Sequence, residues 1–211
     1  MSQQISEKQV EPTGKKPIAL AVTLVLLVIC AMLAVLFATK NMSYGQDQKA
    51  ETGKHIFTHL ATFNEKNTLL LQYNYDIVDF SPEDHKLARL TAAHAIPLVV
   101  EVKQELSQLI RIADDYEKTA FTAQATKELQ WMQVIEEQLQ LISTQEGELT
   151  QAELDQLNAL IEGSEYLSQV VNSFNFNVEG NKNAMIRLAN GFDWIEQVQS
   201  IEQYVNVEAV Q

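Results

Sequence analysis

The sequence predicts an all-α protein: a single transmembrane helix followed by an elongated antiparallel bundle of four to five long helices. Three observations predict it. Residues 17–38 form a 22-residue run, PIALAVTLVLLVICAMLAVLFA, without a charge. Beyond it, apolar residues recur at alternating spacings of three and four, the mark of one buried face of a helix. Only seven Gly and four Pro occur in 211 residues, too few turn formers for a sandwich or barrel.

The apolar run comes first. As a helix it spans roughly 33 Å, enough for a hydrocarbon core of about 30 Å. It is longer than the core of a cleaved signal peptide, and Leu36 spoils the small-residue exit before Ala38. Cys30 lies mid-run, where it packs as a small apolar residue. No second stretch has this length. The anchor is bounded by Lys15 and Lys16 on one side and Lys40 on the other. With three Lys near each end, the Lys15–Lys16 pair tips the positive-inside rule towards a cytoplasmic N-terminus. The expected organisation is a short disordered tail over 1–16, a lipid-embedded anchor over 17–38 and an acidic periplasmic domain over 39–211. The expected location is the bacterial inner membrane. No Cys follows Cys30, which fits a domain without disulfides.

The first helix of the domain, expected at 43–79 as a continuation of the anchor, carries Ile56, Leu60, Phe63, Asn67, Leu70, Asn74 and Ile77 at heptad spacing. A buried Asn in such a seam fixes register or partner number. The seam is therefore the candidate surface for self-association as a homodimer, or for pairing with another envelope protein. Ser81-Pro82-Glu83-Asp84 reads as an N-cap, a first-turn Pro and acids at the positive helix end. It opens a helix expected at 82–118, with a seam from Val99 to Ala120 and a break or kink at Pro97. His94 follows Leu87 and Leu90 and is expected to face the core. A frame slip between Ala120 and Met132 separates a third helix at 120–143. Thr150-Gln151-Ala152-Glu153 is a capping box, opening a helix at 150–179 whose seam contains Ser164. Gly180 precedes a last helix at 183–206, with Met185, Leu188, Phe192, Ile195, Val198, Ile201 and Val205 on one face. His94 and Ser164 are candidate polar groups of a ligand cavity. Phe174, Phe176, Phe192, Trp194 and Tyr204 are expected mostly in the core, and an exposed subset would mark a contact site.

Net charge is −13, and the part after position 40 holds 11 Lys and Arg against 26 Asp and Glu, net −15. Such a surface excludes nucleic acid, whose phosphates require clustered cations. No basic residue stands between Lys127 and Lys182; this is a solvated face, or one suited to a basic partner. His55 and His59, one helical turn apart, make half a metal site. No Asp or Glu stands three residues before any His, so the Glu-x-x-His pattern of di-iron bundles is missing. No phosphate loop or nucleophile elbow occurs. The expectation is a protein without cofactor, metal or catalytic chemistry.

In architecture alone, an anchor followed by such a bundle is similar to bacterial chemoreceptor-type sensory modules, over about residues 17–207. The likeness rests on no motif, and those receptors have a second span and a signalling region that this sequence lacks. It implies a ligand-binding sensor that signals through a separate subunit. The reading drawn directly from the residues is an accessory subunit that binds another envelope protein.

Overall fold

The computed structural model describes residues 16–116 and 129–205, with side chains from Ala19 onward. The tail, Lys15, Ala120 and the expected start of the third helix lie outside these residues. The described chain is helical, with α1 (Lys16–Phe80), α2 (His85–Tyr116), α3 (Gln130–Thr144), α4 (Gln151–Asn172), α5 (Lys182–Leu188) and α6 (Ile195–Gln203). It contains no strand among the described residues. Two compact units meet within α1, the boundary falling between Asp47 and Gln48.

In the first unit the apolar stretch of α1 is helical and fully exposed. It is long and apolar enough to cross a membrane. Its hydroxyls do not need water. Thr23 Oγ1 donates to the carbonyl of Ala19 at 2.8 Å, and Thr39 Oγ1 to that of Val35 at 2.9 Å. Lys40 follows the apolar run, its Nζ 6.0 Å from the centre of the Tyr44 ring.

In the second unit, residues 48–80 of α1 join α2, α3 and α4 in an antiparallel four-helix bundle. The pairs His59–Glu105 and Lys66–Glu101 set α1 antiparallel to α2. The pairs Asn64–Asn172 and Asn67–Ser168 do the same for α1 and α4. α3 packs on α2 and α4, and α6 on α2 and α4. The seams meet in one core. Val99, Val102, Leu106, Leu109 and Ala113 come from α2, Met132, Ile135, Leu139 and Ile142 from α3, and Leu157, Leu160, Leu167 and Val171 from α4.

Four expectations about boundaries are corrected. Ser81 ends α1 instead of opening α2: its N–H bonds the Ile77 carbonyl and its Oγ the Val78 carbonyl. The cap of α2 is Asp84, whose Oδ1 accepts from the N–H groups of Lys86 and Leu87 at 3.1 Å each. Pro97 does not interrupt α2. α4 stops at Asn172, not near 179, because Phe174 and Phe176 turn away to pack on Phe57 of α1. The last helix is two, α5 and α6, parted by a turn over 189–194 where Gly191 takes φ +85 and Asp193 φ +72. The capping box of α4 forms as expected, with Thr150 Oγ1 accepting from the Glu153 N–H and the Glu153 carboxylate accepting from the Thr150 N–H.

Arg89 secures the α3–α4 connection. It is only 6% exposed, and its guanidinium donates to the carbonyls of Ile142 (2.6 Å), Gly147 (2.8 Å) and Glu148 (3.0 Å). The fourth partner is Glu153 Oε1 at 3.3 Å. One side chain thus satisfies a carbonyl in the last turn of α3, which lacks an intrahelical donor, and joins that end to the first turn of α4.

Candidate functional site

The seam of α1 lies inside its own chain. Ile56, Leu60, Phe63, Asn67, Leu70, Asn74 and Ile77 are all 0% exposed. Pairing with a second copy through this seam is corrected, because the face is already covered by the bundle. Asn67 spends its amide there, Nδ2 donating to the Ser164 carbonyl at 3.1 Å and to Ser168 Oγ at 2.8 Å. Asn74 has no protein partner on either amide atom, and Ser164 Oγ and Asn67 Oδ1 have none.

His94 is exposed, not in the core. The buried stripe of α2 is Ala88, Ala92, Ala95 and Val99, one step round from Leu87, Leu90 and His94. His94 and Ser164 therefore do not share a cavity. Lys16 opens α1 and Lys40 follows its apolar stretch. His55 pairs with Glu51 at 3.8 Å, and His59 Nδ1 lies 2.6 Å from Glu105 Oε2. Lys66 reaches Glu101 at 2.7 Å, and hydrogen bonding to that carboxylate raises the Lys66 pKa. The α1–α2 flank is thus spent on internal polar pairs, of which Lys66–Glu101 is an ion pair. No group of three or more His, Cys, Asp or Glu comes together among the described residues.

The second unit has an open cleft of about 810 Å³ at the α5–α6 turn. Phe174, Leu188, Trp194 and Ile195, all buried, give its apolar floor. Phe192, expected in the core, stands at the rim 57% exposed. The reason is the turn itself, where left-handed residues on either side, Gly191 and Asp193, swing position 192 off the helical face.

That turn is braced from several sides. Arg187 donates to both carboxylate oxygens of Asp193, at 2.8 and 2.7 Å, and its guanidinium carbon lies 5.7 Å from the centre of the Phe192 ring. The Arg187 hydrogen bonds lower the pKa of Asp193. Trp194 Nε1 donates to the Leu188 carbonyl at 3.0 Å, and the Tyr116 hydroxyl to the Ala189 carbonyl at 2.9 Å. Lys49 Nζ donates to Asn190 Oδ1 at 2.9 Å. Beneath, α5 rests directly on α1: a Cβ at Gly53 would run into the Met185 carbonyl. Asp is among the few non-glycine residues that adopt the left-handed region as single residues, and here Arg187 holds Asp193 in it while the Phe192 ring stands in solvent. The sequence placed Phe192 in an aromatic group, but gave no sign of which member would be exposed. Gly191 followed closely by Asp193 was the available signal.

Comparison with protein families, curated proteins and solved structures finds no match to this chain.

Proposed function

We propose that the protein is a membrane-anchored accessory subunit whose helical bundle binds another envelope protein, without chemistry of its own. The anchor is the apolar stretch of α1, with the N-terminus cytoplasmic and the second unit in the periplasm of a bacterium. The observation that carries the reading is the braced Phe192 turn beside an open cleft, on a bundle whose seams are otherwise closed. Exposed aromatics held by a rigid frame lose little entropy on binding. The acidic faces of α3 and α4, with Leu141 56% and Val134 37% exposed, offer a second contact surface.

The sensor reading has one observation in its favour. Asn74, Asn67 Oδ1 and Ser164 Oγ are buried polar groups without protein partners, and a small polar ligand or ordered waters would satisfy them. They lie within the packed seam and not in the open cleft, so the interaction reading is preferred.

The test is a photo-crosslinking residue placed at position 192, 141 or 94 of the full chain in living cells. Discrete adducts from 192 or 141, and none from 94, are expected. Absence of adducts from all three overturns the accessory-subunit reading. Protease added to spheroplasts is expected to remove the second unit; digestion only after lysis reverses the orientation.

A further inference from the structure

Buried polar atoms without a protein partner collect where α1 faces α4. Among the described residues they are Asn64 Oδ1, Asn67 Oδ1, both amide atoms of Asn74 and Ser164 Oγ, with Gln197 Oε1 apart on α6. The orientation of Asn67 is fixed, because the Ser164 carbonyl only accepts and must receive Nδ2. Its oxygen is therefore left over. At Asn74 a flip of the amide changes nothing, since its donor and its acceptor are both unpaired. Asn67, Asn74 and Ser164 are 0% exposed, so bulk solvent does not reach them. A buried amide without a partner keeps its whole desolvation penalty, and native cores seldom leave one so.

The packing around Asn74 explains why its own chain gives it nothing. The antiparallel register set by Lys66–Glu101 brings it level with Ala92 of α2. The bonds from Asn67 to Ser164 and Ser168 bring it level with the turn of α4 from Leu157 to Ile161. The buried side chains there, Ala92, Leu157, Leu160 and Ile161, have no polar atom. Ala88, Ala92 and Ala95 make the buried stripe of α2 at this end, so methyl groups stand where Val99 and Val102 stand further along.

We propose that this level of the seam is an internal binding site for a small neutral molecule that donates to Asn74 Oδ1 while accepting from its Nδ2. Water has this chemistry, and so does a small amide or alcohol. An ion does not fit. The buried charged side chains are Arg89, Glu153 and Glu202; the first two pair with each other, and Glu202 belongs to α6. An ion at Asn74 would sit among Ala, Leu and Ile without a countercharge, and a charge taken from water without one is strongly disfavoured. The site is separate from the cleft and does not depend on the accessory-subunit reading.

The experiment uses the full chain, deuterated and isotope-labelled, in lipid nanodiscs. Transfer from the water signal to side-chain N–H protons is read in the rotating frame, where Overhauser transfer and chemical exchange differ in sign. Native mass spectrometry is run on the same sample. An Overhauser cross-peak with water is expected at Asn74, and none at the Trp194 indole N–H, which is buried and bonded to the Leu188 carbonyl. A discrete mass increment in place of the water cross-peak would show a solute of the same chemistry and move the function towards the sensor reading. Asn74→Leu is expected to abolish either signal. Ala92→Val, which fills the level from α2 with Asn74 kept, is expected to lose most of it. No cross-peak and no increment would overturn the proposal. So would a signal that survives Ala92→Val in full, or equal water cross-peaks at Asn74 and Trp194, the mark of solvent throughout the core. Asn74→Leu removes no protein hydrogen bond, so its melting temperature is expected at or above that of wild type, which separates a lost molecule from a lost fold. Crosslinks from positions 192 and 141 test the accessory-subunit reading independently of every one of these outcomes.

Discussion

Replacing Arg89 by Met keeps the length of the side chain and removes the guanidinium. Four hydrogen-bond partners are lost at once. Gly147 and Glu148 are exposed, so their carbonyls turn to water at little cost. The Ile142 carbonyl and Glu153 are buried and have no such recourse. Removing one partner of a buried ion pair costs about 3–5 kcal/mol, and net stability is only about 5–15 kcal/mol. For a unit of this size that lowers the melting temperature by about 6–20 °C. Trp131 and Trp194 both lie in the second unit, so intrinsic fluorescence on heating follows its unfolding and ignores the apolar helix. The acid limb supplies an independent sign. Burial pushes the Glu153 carboxyl upward, but the Thr150 N–H and hydroxyl and the Arg89 guanidinium outweigh it and hold its pKa below 4.5. A carboxylate lowered on folding contributes stability above its unfolded pKa, and that stability disappears as pH falls through the folded value. Wild type should therefore lose stability from about pH 4.5 downward, and Arg89→Met should lose less over the same range. Arg89→Met with Glu153→Leu should recover part of the loss, since no buried charge is left unpaired. A fall below about 2 °C, or a double variant as unstable as the sum of the single ones, would refute the clamp.

Asn67 and Asn74, equivalent in the heptad, should behave oppositely. Asn74→Leu is expected to be neutral or stabilising by up to about 1–3 kcal/mol, because no protein hydrogen bond is lost, whereas Asn67→Leu strands the Ser168 hydroxyl and the Ser164 carbonyl and should destabilise; urea midpoints with equal slopes decide it. Gly163→Ala puts a methyl group into the Trp131 ring and should cost about 1–3 kcal/mol by overpacking, with a shift in tryptophan emission as the readout. Gly53→Ala meets backbone at Met185 instead of a side chain, so it should displace α5 and free Lys49 from Asn190, seen as faster amide exchange over 182–194. Asp193→Ala removes both Arg187 bonds and keeps the strained φ, so proteolytic nicking at 189–194 should increase while the melting temperature changes little.

The all-α class, the long apolar stretch of α1, the seams of α1, α3 and α4 and the capping box of α4 were legible because each is written in local spacing. Periodicity reports which face of a helix is apolar, and the core residues from Ile56 to Ile77 followed from it directly. It misled where apolar character and burial part company. In α2 three alanines carry the buried stripe and leave almost no hydrophobic signal, so Leu87 and Leu90 dominate the pattern and drew His94 inward. At the last helix the spacing runs unbroken through Phe192. Only the Gly191–Asp193 turn, held by Arg187, Tyr116 and Lys49 from three separate elements, sends that ring to the surface.

The sequence by itself determined that this protein is helical and acidic, with one helix able to cross a membrane, because charge, length and period are properties of the chain read in order. Which helix covers which seam was decided only by tertiary structure. The heptad of α1 suits a second copy as well as α2 and α4, and its Asn residues read alike whether they meet each other, a serine on α4 or nothing. The same holds for Arg89, a lone cation in the sequence, whose partners lie 53 to 64 residues away. Contacts between distant positions depend on where backbones end up, and spacing along the chain carries no record of that.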